Sequence, residues 1–158
     1  VSPSISEILD IREEDDFATA LSDLVSARYQ AVGYSGLRPG ERVALCLERL
    51  EREVRSGGFS QYFFSAFGDL SQETLAALQE IGAEHLARVL ERAMGVFPEG
   101  RPLTDCPQRQ AQLAALGEEQ TAALRDLDGE FYESRDDLTS LVRAWVRAHQ
   151  QDFEESNP

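Results

Sequence analysis

The sequence predicts an all-α fold, a compact multi-helix single domain, and three observations predict it. Apolar residues recur at steps of three and four along most of the chain. Glycine and proline mostly fall between those stripes. No run alternates polar and apolar residues as a half-buried strand would.

Taken in order, residues 1–14 form an acidic N-terminal arm with one apolar cluster (Ile5, Ile8, Leu9, Ile11), read as either a first-turn helix or an ordered arm. Asp15 or Asp16 is expected to cap a helix to about Val32, with Phe17, Leu21, Leu24, Val25 and Tyr29 inward. Gly33 to Gly40 is a turn, and Pro39 suits the first position of the next helix. That helix shows Val43, Leu47, Leu50 and Val54 in one stripe, with Cys46 on its flank, and ends at Gly57.

Gly57 to Asp69 packs five aromatics (Phe59, Tyr62, Phe63, Phe64, Phe67) between a glycine pair and a lone glycine. Stiff aromatic side chains carry a large apolar payload, so this short helix should centre the core, with Phe59, Tyr62, Phe63 and Phe67 on one face. Asp69 or Ser71 is expected to cap the following helix. From Ser71 to Phe97, Leu75, Leu78, Leu86, Val89, Ala93 and Phe97 share a face, opposite Glu73, Glu80, Glu84 and Glu91. Ile81-Gly82-Ala83 reads as a helix end and restart, since glycine is costly within a helix and favoured just past its end.

Pro98, Gly100, Pro102 and Pro107 mark the longest loop. Asp105 should cap a helix to about Leu116, and another should run from Gly117 to near Leu127, with Asp128-Gly129 as a turn. Ser134 should cap the last helix, whose Leu138, Leu141, Val142, Trp145 and Val146 face inward. The domain spans 15–149, and 150–158 is expected to be a frayed tail.

The chain has 158 residues and a formal charge of −14, and all fifteen cations are arginine. Such a surface repels nucleic acid and anionic membranes and attracts basic partners, or merely keeps the protein soluble. No stretch approaches a membrane span and the N-terminal segment lacks a signal-peptide apolar run, so the expectation is cytoplasmic. Cys46 and Cys106 are expected to be free thiols.

Gly57, Gly58, Phe59, Gln61, Tyr62, Phe63, Gly68 and Asp69 resemble the signature of the acidic DNA-mimic protein domain, a family of helical bacterial proteins. Ser56 and Ser65 stand where that family has asparagines. Ile81-Gly82-Ala83, Phe97-Pro98, Leu127-Asp128 with Phe131-Tyr132, and a last helix ending at His149 extend the likeness over roughly Val43 to His149. The resemblance implies a protein that competes with DNA for the binding face of a basic regulator.

The residues themselves offer little chemistry. There is no phosphate-cradling loop, dinucleotide fingerprint or His-Glu metal pattern, so no enzyme, cofactor or metal is expected. His149 and Asp152 at i, i+3 read as a polar helix end, Cys46 as a small buried hydrophobe, and Tyr62 as a packed ring with a bonded hydroxyl.

The carboxylates are what remain. Glu118, Glu119, Asp126, Asp128, Glu130, Glu133, Asp136 and Asp137 face only Arg125 and Arg135 over that stretch, a local net of −6. Glu13, Glu14, Asp15 and Asp16 belong to an N-terminal segment with a local net of −5. Acids one helical turn apart lie about 5.4 Å apart along the axis, so two acidic edges side by side approach the charge density of a phosphate ladder. A solvated face is the plainer reading. It is supported by the i, i+4 pairs Glu84–Arg88 and Glu48–Arg52, which would neutralise part of the charge internally. The expected function is an acidic domain that binds a basic protein. The alternatives are an immunity or adaptor protein plugging a basic nuclease-type partner, and a structural module.

Overall fold

A computed structural model of the chain describes residues 2–155. Among them are eight α-helices and no strand: α1 (Ile5–Leu9), α2 (Glu14–Gly36), α3 (Pro39–Phe64), α4 (Ser71–Glu80), α5 (Glu84–Met94), α6 (Cys106–Ala115), α7 (Glu118–Tyr132) and α8 (Leu138–Ala148). Single 3₁₀ turns occupy Ala66–Leu70, Pro98–Gly100 and Gln150–Phe153. The all-α expectation holds. The chain divides into two units, one of residues 1–48 and 137–158, the other of residues 49–136.

In the first unit, Ser4 and Glu7 form a reciprocal capping box that starts α1, settling the arm as a short helix. Phe17, Leu21 and Val25 are buried on α2. Glu13 occupies the N-cap position without a side-chain bond, so neither Asp15 nor Asp16 caps α2; both lie in its first turn, where the helix dipole favours acids. Gly33 (φ 69°) breaks the helix where the turn was expected, one turn before its end. Pro39 opens α3, and buried Glu41 accepts the Arg38 N–H at 2.8 Å and pairs with Arg28 at 3.2 Å. From Ala44 to Leu47 every residue of α3 is buried, Cys46 included, which a single stripe does not anticipate. Arg143 of α8 donates to the carbonyls of Leu9, Ile11 and Arg12 and stacks over Phe17.

The expected frayed tail is corrected by Phe153. Its ring is buried beside Trp145, 6.1 Å between centroids, and against Gly40, where an added Cβ would sit 2.4 Å from the ring. An apolar anchor eight residues past Trp145 holds the segment, while residues 156–158 of the expected tail lie outside those described. Asp137, not Ser134, caps α8, accepting from the Ser140 N–H at 3.1 Å.

The second unit is built around the aromatic run. Phe59, Tyr62 and Phe63 are fully buried. The Phe63 ring meets Phe97 edge-on at 4.8 Å, and Phe59 meets Phe131 at 5.9 Å. These T-shaped contacts add to the area they bury. Phe67 departs from the expected face: it is half-buried, under the Arg49 guanidinium.

α4 ends at Glu80 in a Schellman motif: Ala83 N–H donates to Leu78, Gly82 N–H to Gln79, and Gly82 takes φ 82°. The break at Gly82 is therefore as expected. The N-cap of α4 is Leu70; neither Asp69 nor Ser71 caps it, because Asp69 is turned to Arg109 and Ser71 donates to the Gly68 carbonyl. Asp105 caps α6 as expected, accepting from Gln108 N–H at 3.1 Å. Asp128-Gly129 is not a turn: α7 runs through it to Tyr132, because Leu124, Leu127 and Phe131 must stay on one buried face.

Candidate partner-binding surface

The glycine–aromatic motif is architectural. Gly57 and Gly58 interrupt α3, and Gly58 has φ 76°. That break leaves the Phe59 N–H without a helical acceptor, and Asp128 Oδ1 supplies one at 2.7 Å. Burial raises the Asp128 pKa, an effect the Phe59 N–H opposes. A Cβ on Gly58 would come within 2.2 Å of this carboxylate. Tyr62 donates to Thr74 Oγ1 at 3.2 Å inside the core.

Arg109, fully buried, closes the far end of the motif. It donates to the carbonyls of Phe63 (2.6 Å), Ser65 (2.7 Å), Leu103 (2.9 Å) and Thr104 (3.2 Å) and to Asp69 at 2.8 Å. Gly68 is glycine because a Cβ there would meet Arg109 Nε at 2.6 Å. Sequence reasoning missed Arg109, which lies in a polar Gln-Arg-Gln run; the one available signal was that Asp69 needs a cation. Gln61 is exposed and donates to Glu53 at 2.9 Å. The groove beside it is lined by no ionisable side chain.

The carboxylates divide by their duties. Asp128 serves the Phe59 N–H. Asp136 accepts the Leu86 N–H at 3.0 Å, capping α5 from fifty residues away, and Ser134 Oγ accepts the Asp136 N–H and meets His85 Nδ1 at 2.8 Å. Glu130 pairs with Arg92 at 2.7 Å. Asp137 belongs to the first unit, where the Ser140 hydroxyl lies between it (3.0 Å) and Glu14 (2.8 Å). There, N-cap Glu13 and first-turn Glu14, Asp15 and Asp16 are exposed at the start of α2, which the shared Ser140 places beside the start of α8. A DNA mimic built on that stretch would need Asp126, Asp128, Glu130, Glu133, Asp136 and Asp137 together on one surface without arginine partners, and they do not form one free cluster. Three of them hold backbone N–H groups, because helix starts need acceptors more than the surface needs charge.

A different surface emerges in the second unit. At 100° per residue, Glu119, Asp126 and Glu130 share one side of α7, away from buried Leu124, Leu127 and Phe131, and Glu133 follows at its C-cap. α5 packs against α7 and turns Glu84 and Glu91 away from buried Leu86, Val89, Leu90 and Ala93. The Arg92–Glu130 ion pair joins the two helices. Among the described residues, Glu84, Glu91, Glu119, Asp126 and Glu133 have no ion pair, and the expected Glu84–Arg88 pair does not form. Glu118 is exposed at the first turn of α7.

Cys46 and Cys106 are free thiols. His149 donates from Nδ1 to the Trp145 carbonyl and stacks on its ring at 4.5 Å, fitting a polar helix end. Among the described residues no group of three or more His, Cys, Asp or Glu is arranged to hold a metal, and no helix is long and apolar enough to cross a membrane.

An all-helical acidic chain whose signature residues serve its architecture, and whose outward face carries unpaired carboxylates, is the class these features define. The model of the DMP19-like protein family matches residues 35–149, and the chain belongs to that family. The match begins upstream of Val43 and includes both α3 and the acid-bearing α5 and α7. No curated protein and no solved structure matches the chain.

Proposed function

We propose that this is a non-enzymatic, cytoplasmic protein-binding domain that acts as a DNA mimic. Its acidic surface would occupy the basic DNA-binding face of a regulator. The observation that carries the reading is the pairing of acid stripes on adjacent α5 and α7, five of whose six carboxylates lack an ion-pair partner among the described residues. Steps of three, four and seven residues put neighbouring acids about 4.5–10.5 Å apart along each axis. That is sparser than phosphates on one DNA strand at 3.4 Å, and two stripes side by side narrow the difference. Membership in the DMP19-like family supports the same reading.

Encounter with a basic face is then steered electrostatically and screened over about 8 Å at physiological ionic strength. The test is capture from host lysate at low and high salt with the full chain and with Glu119→Gln/Asp126→Asn/Glu133→Gln. A basic DNA-binding protein should be retained at low salt, released at high salt, and lost with the triple variant. Capture of a nuclease would move the assignment to an immunity role. Recovery of no basic protein at low salt would contradict the proposal.

A further inference from the structure

The geometry points to a specificity-determining residue on the same surface: Arg88 of α5 receives a carboxylate of the partner, and so selects a basic face that carries an acid over one that is uniformly cationic. This rests on the basic-partner reading above and deepens it by naming the charge pattern the partner presents.

His85, Arg88 and Arg92 follow one another at steps of three and four, so they form one stripe of α5. The stripe runs along the seam where α5 packs on α7. At one end His85 Nδ1 meets Ser134 Oγ at 2.8 Å, just past the end of α7, and at the other Arg92 pairs with Glu130 at 2.7 Å. Arg88 lies between these two pins, exposed, and makes no ion pair or hydrogen bond of its own side chain among the described residues. Glu84, four residues before it and in the order that favours a helical ion pair, does not engage it.

Acids flank this stripe on both sides. At 100° per residue Glu84 and Glu91 fall on the side away from α7, while Glu119, Asp126 and Glu130 line α7 beyond the seam. The face is thus acidic, then basic along Arg88 and Arg92, then acidic again. DNA has no such interruption, because its backbone charges are all negative. Glu130 already answers Arg92, and Arg88 is left unanswered. A uniformly basic surface laid over this face sets a like charge against Arg88, whereas one with a carboxylate at that point gains a pair. Arginine suits the second case, since its planar fork takes a carboxylate through two parallel bonds. Such a contact is local, because exposed charges are screened beyond about 8 Å at physiological ionic strength. Arg125, exposed on the flank of α7 turned away from α5, does not substitute for it.

The probes are two labelled peptides, a lysine homopeptide and the same peptide with its central lysine replaced by glutamate, titrated by anisotropy against the full chain at low salt. Arg88→Gln is an exposed change and should leave circular dichroism unaltered. The glutamate should weaken binding about threefold more in Arg88→Gln than in the unaltered chain, the size of effect an exposed ion pair carries. Arg125→Gln removes the same formal charge and should keep the unaltered chain's penalty. Arg88→Lys retains the charge without the fork and should fall between the two.

Equal penalties in Arg88→Gln and the unaltered chain would overturn the assignment. So would an equal widening in Arg125→Gln, the mark of a charge effect with no particular place. Lysate capture tests the basic-partner reading separately: a basic protein retained alongside either of these results overturns the role of Arg88 alone, and failed capture overturns the reading and this inference with it.

Discussion

Replacing Arg109 should be the most damaging single substitution in the second unit. The side chain is fully buried and donates to four carbonyls and one carboxylate. Arg109→Met keeps most of the volume and removes every donor. Leu103 and Asp69 are exposed enough for water to replace their lost bonds, whereas the Phe63 carbonyl lies in the core. Each buried acceptor left unpaired costs about 1–3 kcal/mol, and breaking a buried charged network costs about 3–5 kcal/mol. A loss of about 4 kcal/mol follows, a large share of a typical domain's stability. With a urea m-value of about 2 kcal/mol/M, the midpoint should fall by about 2 M. Arg109→Lys should recover only part, since one ammonium cannot span the fork. Gly68→Ala should be nearly as damaging alone, because its Cβ meets Nε at 2.6 Å, yet close to neutral on an Arg109→Ala background. A midpoint for Arg109→Met within about 0.3 M of the unaltered chain, or additive costs in the Gly68 cycle, would refute the clamp.

Asp128 gives a prediction with a sign. Its folded pKa is raised by burial, against the smaller opposing pull of the Phe59 N–H, so the folded chain holds this proton more tightly than the unfolded chain. The stability it contributes is therefore fully present below the ordinary value of 3.8 and is lost as pH rises from there through the raised folded pKa. Asp128→Asn keeps an acceptor for Phe59 and should be at least as stable as the unaltered chain near neutral pH, with its advantage shrinking toward about pH 4. Asp128→Ala should cost about 1–3 kcal/mol at neutral pH; urea midpoints at both pH values check both variants. Gly82→Ala meets no atom within 4 Å but must hold φ 82°, so its cost is backbone strain alone, about 1–2 kcal/mol, read as a fall of a few degrees in Tm. Asp137→Ala removes the N-cap of α8 and should cost about 1 kcal/mol in thermal melts.

Features set by neighbours in sequence were legible without coordinates. The stripe through Leu47, Leu50 and Val54, the stop at Gly82, proline at the start of α3 and the cap from Asp105 all follow from local periodicity and backbone chemistry. Features decided by distant partners were not. Asp128-Gly129 carries a turn signal in isolation, but the carboxylate is committed to Phe59, sixty-nine residues earlier, and the helix continues. Asp136 resembles a surface acid until α5 presents a bare Leu86 N–H to it. Phe153 sits in a polar tail, and only Gly40 and Trp145 explain its burial. The acid count was readable, but which acids are left without an internal partner depended on these duties. Glu84, Glu91 and Glu119 therefore gain weight, and Asp128 and Asp136 lose it.

The most direct measurement is displacement. The basic protein captured from lysate is loaded with a fluorescent DNA duplex, and this chain is added at low salt. A DNA mimic should release the duplex stoichiometrically, with Glu119→Gln/Asp126→Asn/Glu133→Gln releasing far less. A stable ternary complex, with the duplex still bound at saturating protein, would contradict the account.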